Sequence, residues 1–256
     1  MIVDFSASIV TAGGLRNRIE GLRGLYSELC GPYFDDILSK RGKAFADSAC
    51  GFLLLDSLLQ KHKINRAELA ITLEKNGRPR TNRRDLDFSV SHSEGCAMCV
   101  LAIGEGANVG IDVQRERPYS LEKMTELART FMTAAELEKF TAPLSPNHPI
   151  PLIGYNRDMD EYIRKSREFY TAWTRRESYT KRIGSDIFDN LKTAKIQSEF
   201  YRDGIITACG ERYYYSVCAP REAFENLENN ELENEEAPEN QEEFFEETEE
   251  AAEVNE

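Results

Sequence analysis

The stretch WTRRESYTK, residues 173–181, places a single carboxylate, Glu177, among Arg175, Arg176, Lys181 and the following Arg182. Read as a helix, it sets Trp173, Glu177 and Lys181 at i, i+4 and i+8, one stripe along one face. The plainest account of an acid and a base on one stripe is a surface ion pair, and such pairs contribute little. What the rest of the chain brings to that stripe decides whether it is a site.

The chain has 256 residues, enough for one large domain or two small lobes with a real core. Its start, MIVDFSASIV, lacks a basic segment followed by a long apolar run, and no apolar run approaches the length of a bilayer span. The expectation is a cytoplasmic protein with no membrane and no nucleic-acid partner. The formal charge of −13 is unevenly placed: residues 225–256 hold fifteen Glu and no Lys or Arg, so the remainder balances at +2. That segment shows no periodic apolar face and reads as an acidic, disordered tail.

Cys96 and Cys99 form a CxxC, but GCAMCVLAI reads as a strand, where i and i+3 point to opposite faces. With no second close pair, buried small hydrophobes are expected rather than a zinc site. Residues 45–61 are helical in period, and Asn76–Pro79 is a turn. Phe88 to Ile103 reads as strand, polar turn at 91–95, strand. Val109–Val113 is a further strand. Ser120 and Thr133 read as capping-box starts of two helices. Residues 141–160, rich in proline, form a long loop. Residues 162–182 are a helix, and 194–201, 204–209 and 212–217 read as closing antiparallel strands. The order is helix-then-strands, twice, divided near Gly104–Asn108.

Three stretches carry chemical character. FSVSHSEG (88–95) groups Ser91, His92 and Ser93 where a polar turn suits phosphate oxygens. VGIDVQ (109–114) puts Asp112 and Gln114 on one strand face, two oxygens for a hard cation such as Mg²⁺. In WTRRESYTK, Glu177 adds a second carboxylate and Lys181 a charge for a phosphate leaving group. Taken singly, each also reads as an ordinary turn, strand or surface helix.

In combination they resemble the 4′-phosphopantetheinyl transferases in their larger two-lobed form. GRP (77–79), F-x-x-SHS (88–93), GxD with its alternate residue (110–114) and W-[ST]-x-[KR]-E-[AS]-x-x-K-x-x-G (173–184) occur in order over about 110 residues, and the last matches at every fixed position. The resemblance implies an α+β fold of two similar lobes related by a pseudo-twofold, each a small antiparallel sheet packed with a long helix. The lobes are expected at 1–106 and 107–224, the second carrying the motif helix and a carrier-facing loop at 141–160, with 225–256 as tail. It implies coenzyme A as substrate, Mg²⁺ (or Mn²⁺) on its pyrophosphate, and an acyl or peptidyl carrier protein whose serine attacks the β-phosphate and releases 3′,5′-ADP.

On that reading Glu177 and Lys181 are catalytic, and Asp112, Gln114 and Glu177 hold the metal. Ser91 and His92 grip phosphate oxygens, while Lys40, Arg41, Lys43 and Arg78 meet the 3′-phosphate. Arg115, Arg117 and Lys123 attract an acidic carrier, and a monomer suffices. Two departures stand out: Gln114 where many relatives have an acid, and Asp47-Ser-Ala-Cys50 where relatives commonly carry an Arg. They motivate a rival reading, a degenerate relative that binds coenzyme A or a carrier without transfer. A metal-dependent phosphohydrolase on the same carboxylates is the second rival.

Overall fold

The computed structural model describes residues 1–10, 13–74, 77–143, 157–221 and 223. In chain order the elements are β1 (Ile2–Ile9), α1 (Leu15–Arg23), α2 (Gly31–Ser39), α3 (Gly42–Lys61), β2 (Ile71–Leu73), β3 (Pro79–Thr81), β4 (Leu86–Ser93), β5 (Cys96–Ile103), β6 (Gly110–Arg115), α4 (Leu121–Phe131), α5 (Ala134–Thr141), α6 (Arg157–Ile183), α7 (Ile187–Asn190), β7 (Phe200–Ala208) and β8 (Glu211–Ala219). Short 3₁₀ turns at Glu28–Cys30, Arg66–Glu68 and Ala194–Ser198 complete it. This is an α+β fold with small antiparallel sheets.

One unit occurs twice. A strand, a helical excursion ending in a long helix, and a hairpin give β1–α3–β4–β5, then β6–α6–β7–β8. The sheets have matching order, β1-β5-β4 and β6-β8-β7, with the last strand of each unit in the middle. The middle strand β5 is buried on both faces, which is why its sequence is apolar throughout. Ala97, Cys99 and Leu101 face the core under α3, while Cys96, Met98, Val100 and Ala102 face a second core shared with Val109, Ile111, Val113 and Val217. The two cysteines of the CxxC thus point to opposite sides, and both are free thiols. A third core packs α4 and α6 around Phe131, Phe169 and Tyr214.

The two sheets meet along β4 and β6, side by side at a constant offset. Asp87, Ser91 and Ser93 accept from the backbone N–H groups of Val109, Val113 and Arg115, at 3.0, 3.2 and 3.0 Å. Alternate side chains of one edge strand thereby satisfy the outer donors of another, which buried backbone requires. Expectation placed a turn at 91–95. Ser91, His92 and Ser93 instead belong to β4, paired to Met98, Ala97 and Cys96, and the hairpin turns only at Glu94–Gly95, both at positive φ. Their polarity serves the seam rather than a turn.

Other readings shift as well. Residues 194–198 are a 3₁₀ turn, so the closing strands number two in that region. Ser120 caps α4 by accepting from Lys123 N–H, but the third residue is lysine, so the box is half-formed; at Thr133 it is complete with Glu136. The motif helix begins at Arg157. Residues 144–156 of the expected loop, and the tail from 224, lie outside the described residues. Among the described residues no helix is long and apolar enough to cross a membrane.

Candidate active site

Two glycines set the distances. A Cβ on Gly110 would lie 1.9 Å from the Ser178 carbonyl oxygen, so only glycine lets α6 cross β6 this closely. A Cβ on Gly51 would lie 2.4 Å from Val90 Cγ1, so α3 is similarly close to β4. Alternation along β4 then sends Phe88, Val90 and His92 toward α3, and Asp87, Ser91 and Ser93 toward β6.

The crossing of β6 and α6 brings Asp112 under Lys181. Lys181 Nζ donates to Asp112 Oδ1 at 2.7 Å and to Ser91 Oγ at 2.9 Å. Ser91 Oγ in turn donates to Asp112 Oδ1 at 2.8 Å and accepts from Val113 N–H. Its one proton and two lone pairs are all committed inside the protein, so Ser91 holds Lys181 and Asp112 rather than offering a hydroxyl to a ligand. Trp173, Glu177 and Lys181 do share one face. With Val90, Ser91, His92, Asp112, Val113 and Gln114 they line a recess of about 380 Å³. It adjoins a second of about 400 Å³, walled by Gly77–Pro79, Phe88, Ser89, Thr180 and Gly184–Ile187, with Glu177 and Lys181 common to both. On the Trp173 side lies an aromatic hollow of about 360 Å³ with Tyr119, Phe131 and Phe169.

Glu177 is held above the usual carboxylate range, first by burial and then by the negative charge of Asp112, with Lys181 opposing. Two acids therefore share one small space, and Asp112 Oδ2 is buried with no hydrogen-bond partner. An unpartnered buried carboxylate oxygen beside a second, strained acid is the environment a divalent cation relieves, and Gln114 adds a neutral oxygen at the same recess. The residues present fit such an ion.

The structure separates several residues that the sequence grouped. Of the four cations around Glu177, only Lys181 shares its face. Arg175 pairs with Asp203 and Arg182 with Glu199. Arg176 is 1% exposed and holds Glu136 and the carbonyls of Phe131, Ala172 and Leu191. It ties α6 to α4, α5 and the end of α7. The expected 3′-phosphate cluster also divides. Arg78 lines the Gly77–Pro79 recess, where it pairs with Asp87 and donates to Val109 O. Lys43 instead shares Asp47 with His92, and Lys40, paired with Asp36, acts on that ring only through its field, as Lys181 does. Arg41 is the exposed N-cap residue of α3. Arg115 and Arg117 share Glu94, Arg115 also holds Glu211, and Lys123 pairs with Glu126. Their charge is largely offset and is a poor lure for an acidic partner.

Two acids were given no role in the sequence: Asp87, which organises Arg78, Arg80 and the Val109 N–H, and Asp47, buried beneath His92. The signal for both was an acid on an otherwise apolar face.

A cleft at a strand–helix crossing, with two acids, a lysine paired to one of them and basic residues to one side, has the kind of charge layout that a polyphosphate ester requires. The sequence model of the 4′-phosphopantetheinyl transferase superfamily matches residues 108–246, and the chain belongs to that superfamily. It is similar to the 4′-phosphopantetheinyl transferase pptA of Paxillus involutus, 28% identical over 169 residues. That match covers 60% of this chain and 60% of the relative's own length.

Proposed function

We propose that this protein transfers the 4′-phosphopantetheine arm of coenzyme A to a serine hydroxyl of an acyl or peptidyl carrier protein, with Mg²⁺ as the metal. The observation that carries the proposal is the Asp112–Lys181–Glu177 arrangement, two acids and an ammonium converging where α6 crosses β6.

In the reaction the serine oxygen bonds to the β-phosphorus, the bridging oxygen toward the α-phosphate leaves, and 3′,5′-ADP departs. Asp112, Glu177 and Gln114 would hold Mg²⁺ (or Mn²⁺), which when bound neutralises charge on the pyrophosphate oxygens. Glu177 would take the serine proton. Lys181 stabilises the charge developing on the departing phosphate. His92, Lys43 and Lys40 meet the phosphate at the other end of the nucleotide, and the Gly77–Pro79 recess receives its base. The aromatic hollow at Trp173 offers a wall to the apolar arm. The two β-α-β-β halves, 1–106 and 107–224, serve as the walls of this cleft, and a monomer supplies every residue named.

The test is intact-mass analysis of an apo carrier protein incubated with coenzyme A, Mg²⁺ and the protein, with and without EDTA. A metal-dependent gain of one phosphopantetheine, lost in Glu177→Gln, is the expected result. Free phosphate without carrier modification would point to a phosphohydrolase. Binding of coenzyme A without any transfer would point to a degenerate relative.

A further inference from the structure

One buried acid of the cleft has no part in the chemistry above. Asp47 is 3% exposed on the inner face of α3, among Ala46, Ala49 and Cys50. A carboxylate in such a place is costly unless it is paired. Its Oδ2 lies 2.9 Å from Lys43 Nζ and 3.4 Å from His92 Nδ1, while Oδ1 is buried with no hydrogen-bond partner. Two basic groups thus converge on one oxygen of one acid. Their own side chains are 62% and 47% exposed, so they stand above the acid on the cleft side. The placement follows from the backbone: Val90 against Gly51 sets the approach of β4 to α3, and His92, two residues along, comes over Asp47, one helical turn back. Lys40 is held beside them by Asp36 at 2.7 Å and Ser48 at 3.1 Å.

With Asp47 as an acceptor beside Nδ1, the proton of the neutral ring is favoured on that nitrogen, which leaves Nε2 a lone pair; Nε2 becomes a donor only in the imidazolium, the form a phosphate dianion draws out. The ring lines the recess, and as an imidazolium it stands with the Lys43 ammonium on the same Asp47 oxygen. Such a pair, with Lys40 near, matches a phosphate monoester, whose charge exceeds what one cation neutralises. We infer that Asp47 is a positioning residue that holds Lys43 and His92 side by side to receive the terminal phosphate monoester of the nucleotide substrate, the one remote from the transferred group. The inference rests on the proposed function, since it takes coenzyme A as the nucleotide. Asp47 touches no substrate. It acts through the two residues it anchors, and its own charge is spent on Lys43.

The test compares binding of coenzyme A and of 3′-dephospho-coenzyme A, by titration calorimetry, to the full chain and to Asp47→Asn. The wild-type protein should bind coenzyme A more tightly. The variant should lose about tenfold of that affinity, the worth of one charge-assisted contact, and bind the dephospho ligand as before. In turnover the loss should fall on KM for coenzyme A more than on kcat. In a Lys43→Ala, His92→Ala background the same change should have no further effect. Because the chain has three histidines, imidazole nitrogen NMR of the unaltered protein gives an independent reading: neutral His92 should carry its proton on Nδ1. Equal losses for both ligands, a gain for coenzyme A, no change, or an Nε2–H tautomer would each overturn the inference while leaving the transferase assignment intact. Failure of the wild-type protein to bind either ligand would overturn both.

Discussion

Lys181 Nζ lies 2.7 Å from Asp112 Oδ1, and the other oxygen of that buried carboxylate has no hydrogen-bond partner. The lysine therefore compensates Asp112 in the free protein, and under the proposed function it would also stand where charge leaves in the reaction.

Removing it should separate the two roles. In Lys181→Met, Asp112 stays buried with its charge uncompensated, a loss of about 3 kcal/mol for a pair of this kind. Thermal denaturation should show a lowered Tm that Mg²⁺ restores in large part. Single-turnover transfer should stay depressed by about a hundredfold or more even at saturating metal. A Tm that ignores Mg²⁺ would mean that Asp112 is not a ligand.

Glu177 predicts the opposite sign for stability. Its proton affinity is raised in the fold by burial and by Asp112. The unfolded chain loses this proton at a lower pH than the folded one, so ionised Glu177 destabilises the free protein once pH exceeds the folded value. Below the ordinary carboxylate range both states are protonated and the penalty disappears. Glu177→Gln should accordingly raise the Tm of the metal-free protein at neutral pH by about 2–4 °C for each kcal/mol removed, and the gain should vanish as pH falls. The same variant should abolish transfer. In the metal-free protein Glu177 should take up its proton at a pH above that of an unperturbed glutamate, and Mg²⁺ should lower that pH; carboxyl titration by NMR in EDTA and in Mg²⁺ reads both.

Gly110 tests the crossing that makes the site. Its Cβ would sit 1.9 Å from a backbone oxygen of α6, which has no flexible end to yield. Gly110→Ala should cost about 4 kcal/mol or more, at the extreme of single substitutions, or leave no folded protein. Gly51→Ala meets a valine methyl instead and should cost about 1–3 kcal/mol. Chemical denaturation of the two variants should rank them in that order; the reverse order would misplace α6.

How much of this was legible follows from which forces write themselves into local sequence. The helices α3 and α6 were readable because each has one long apolar face, and the hairpin β4–β5 because β5 is apolar on both sides. The strand β1 was not, since Val3 alone among its residues is fully buried and the alternation is faint. The seam between β4 and β6 was hidden for a different reason. Serines that satisfy a neighbouring strand's N–H groups look, in sequence, like the serines of a turn. The cations of WTRRESYTK show a further limit to local reading. Spacing put Glu177 and Lys181 on one face correctly, but it gave no sign that Arg176 points inward to carbonyls and Glu136, or that Arg175 and Arg182 have acids waiting on β7 and just before it. Apart from the Ala172 carbonyl one turn back, those partners lie 15 to 45 residues away in the chain, beyond any local pattern.

Gln114 gives the last prediction. It follows Asp112 on the same face of β6 and lines the same recess as Glu177, so a carboxylate at 114 would be a third acid in one small volume. In the metal-free protein it would repel Asp112 and Glu177, lowering Tm and raising the proton affinity of the group. With a divalent cation present the same charge becomes attractive. Gln114→Glu should therefore lower the Mg²⁺ concentration for half-maximal transfer by about three- to tenfold, while making the protein less stable in EDTA and more stable in Mg²⁺. Both changes come from one added charge, so they must appear together. A metal titration that does not shift, beside an unaltered Tm in EDTA, would place residue 114 outside the coordination sphere and leave the cation to Asp112 and Glu177 alone.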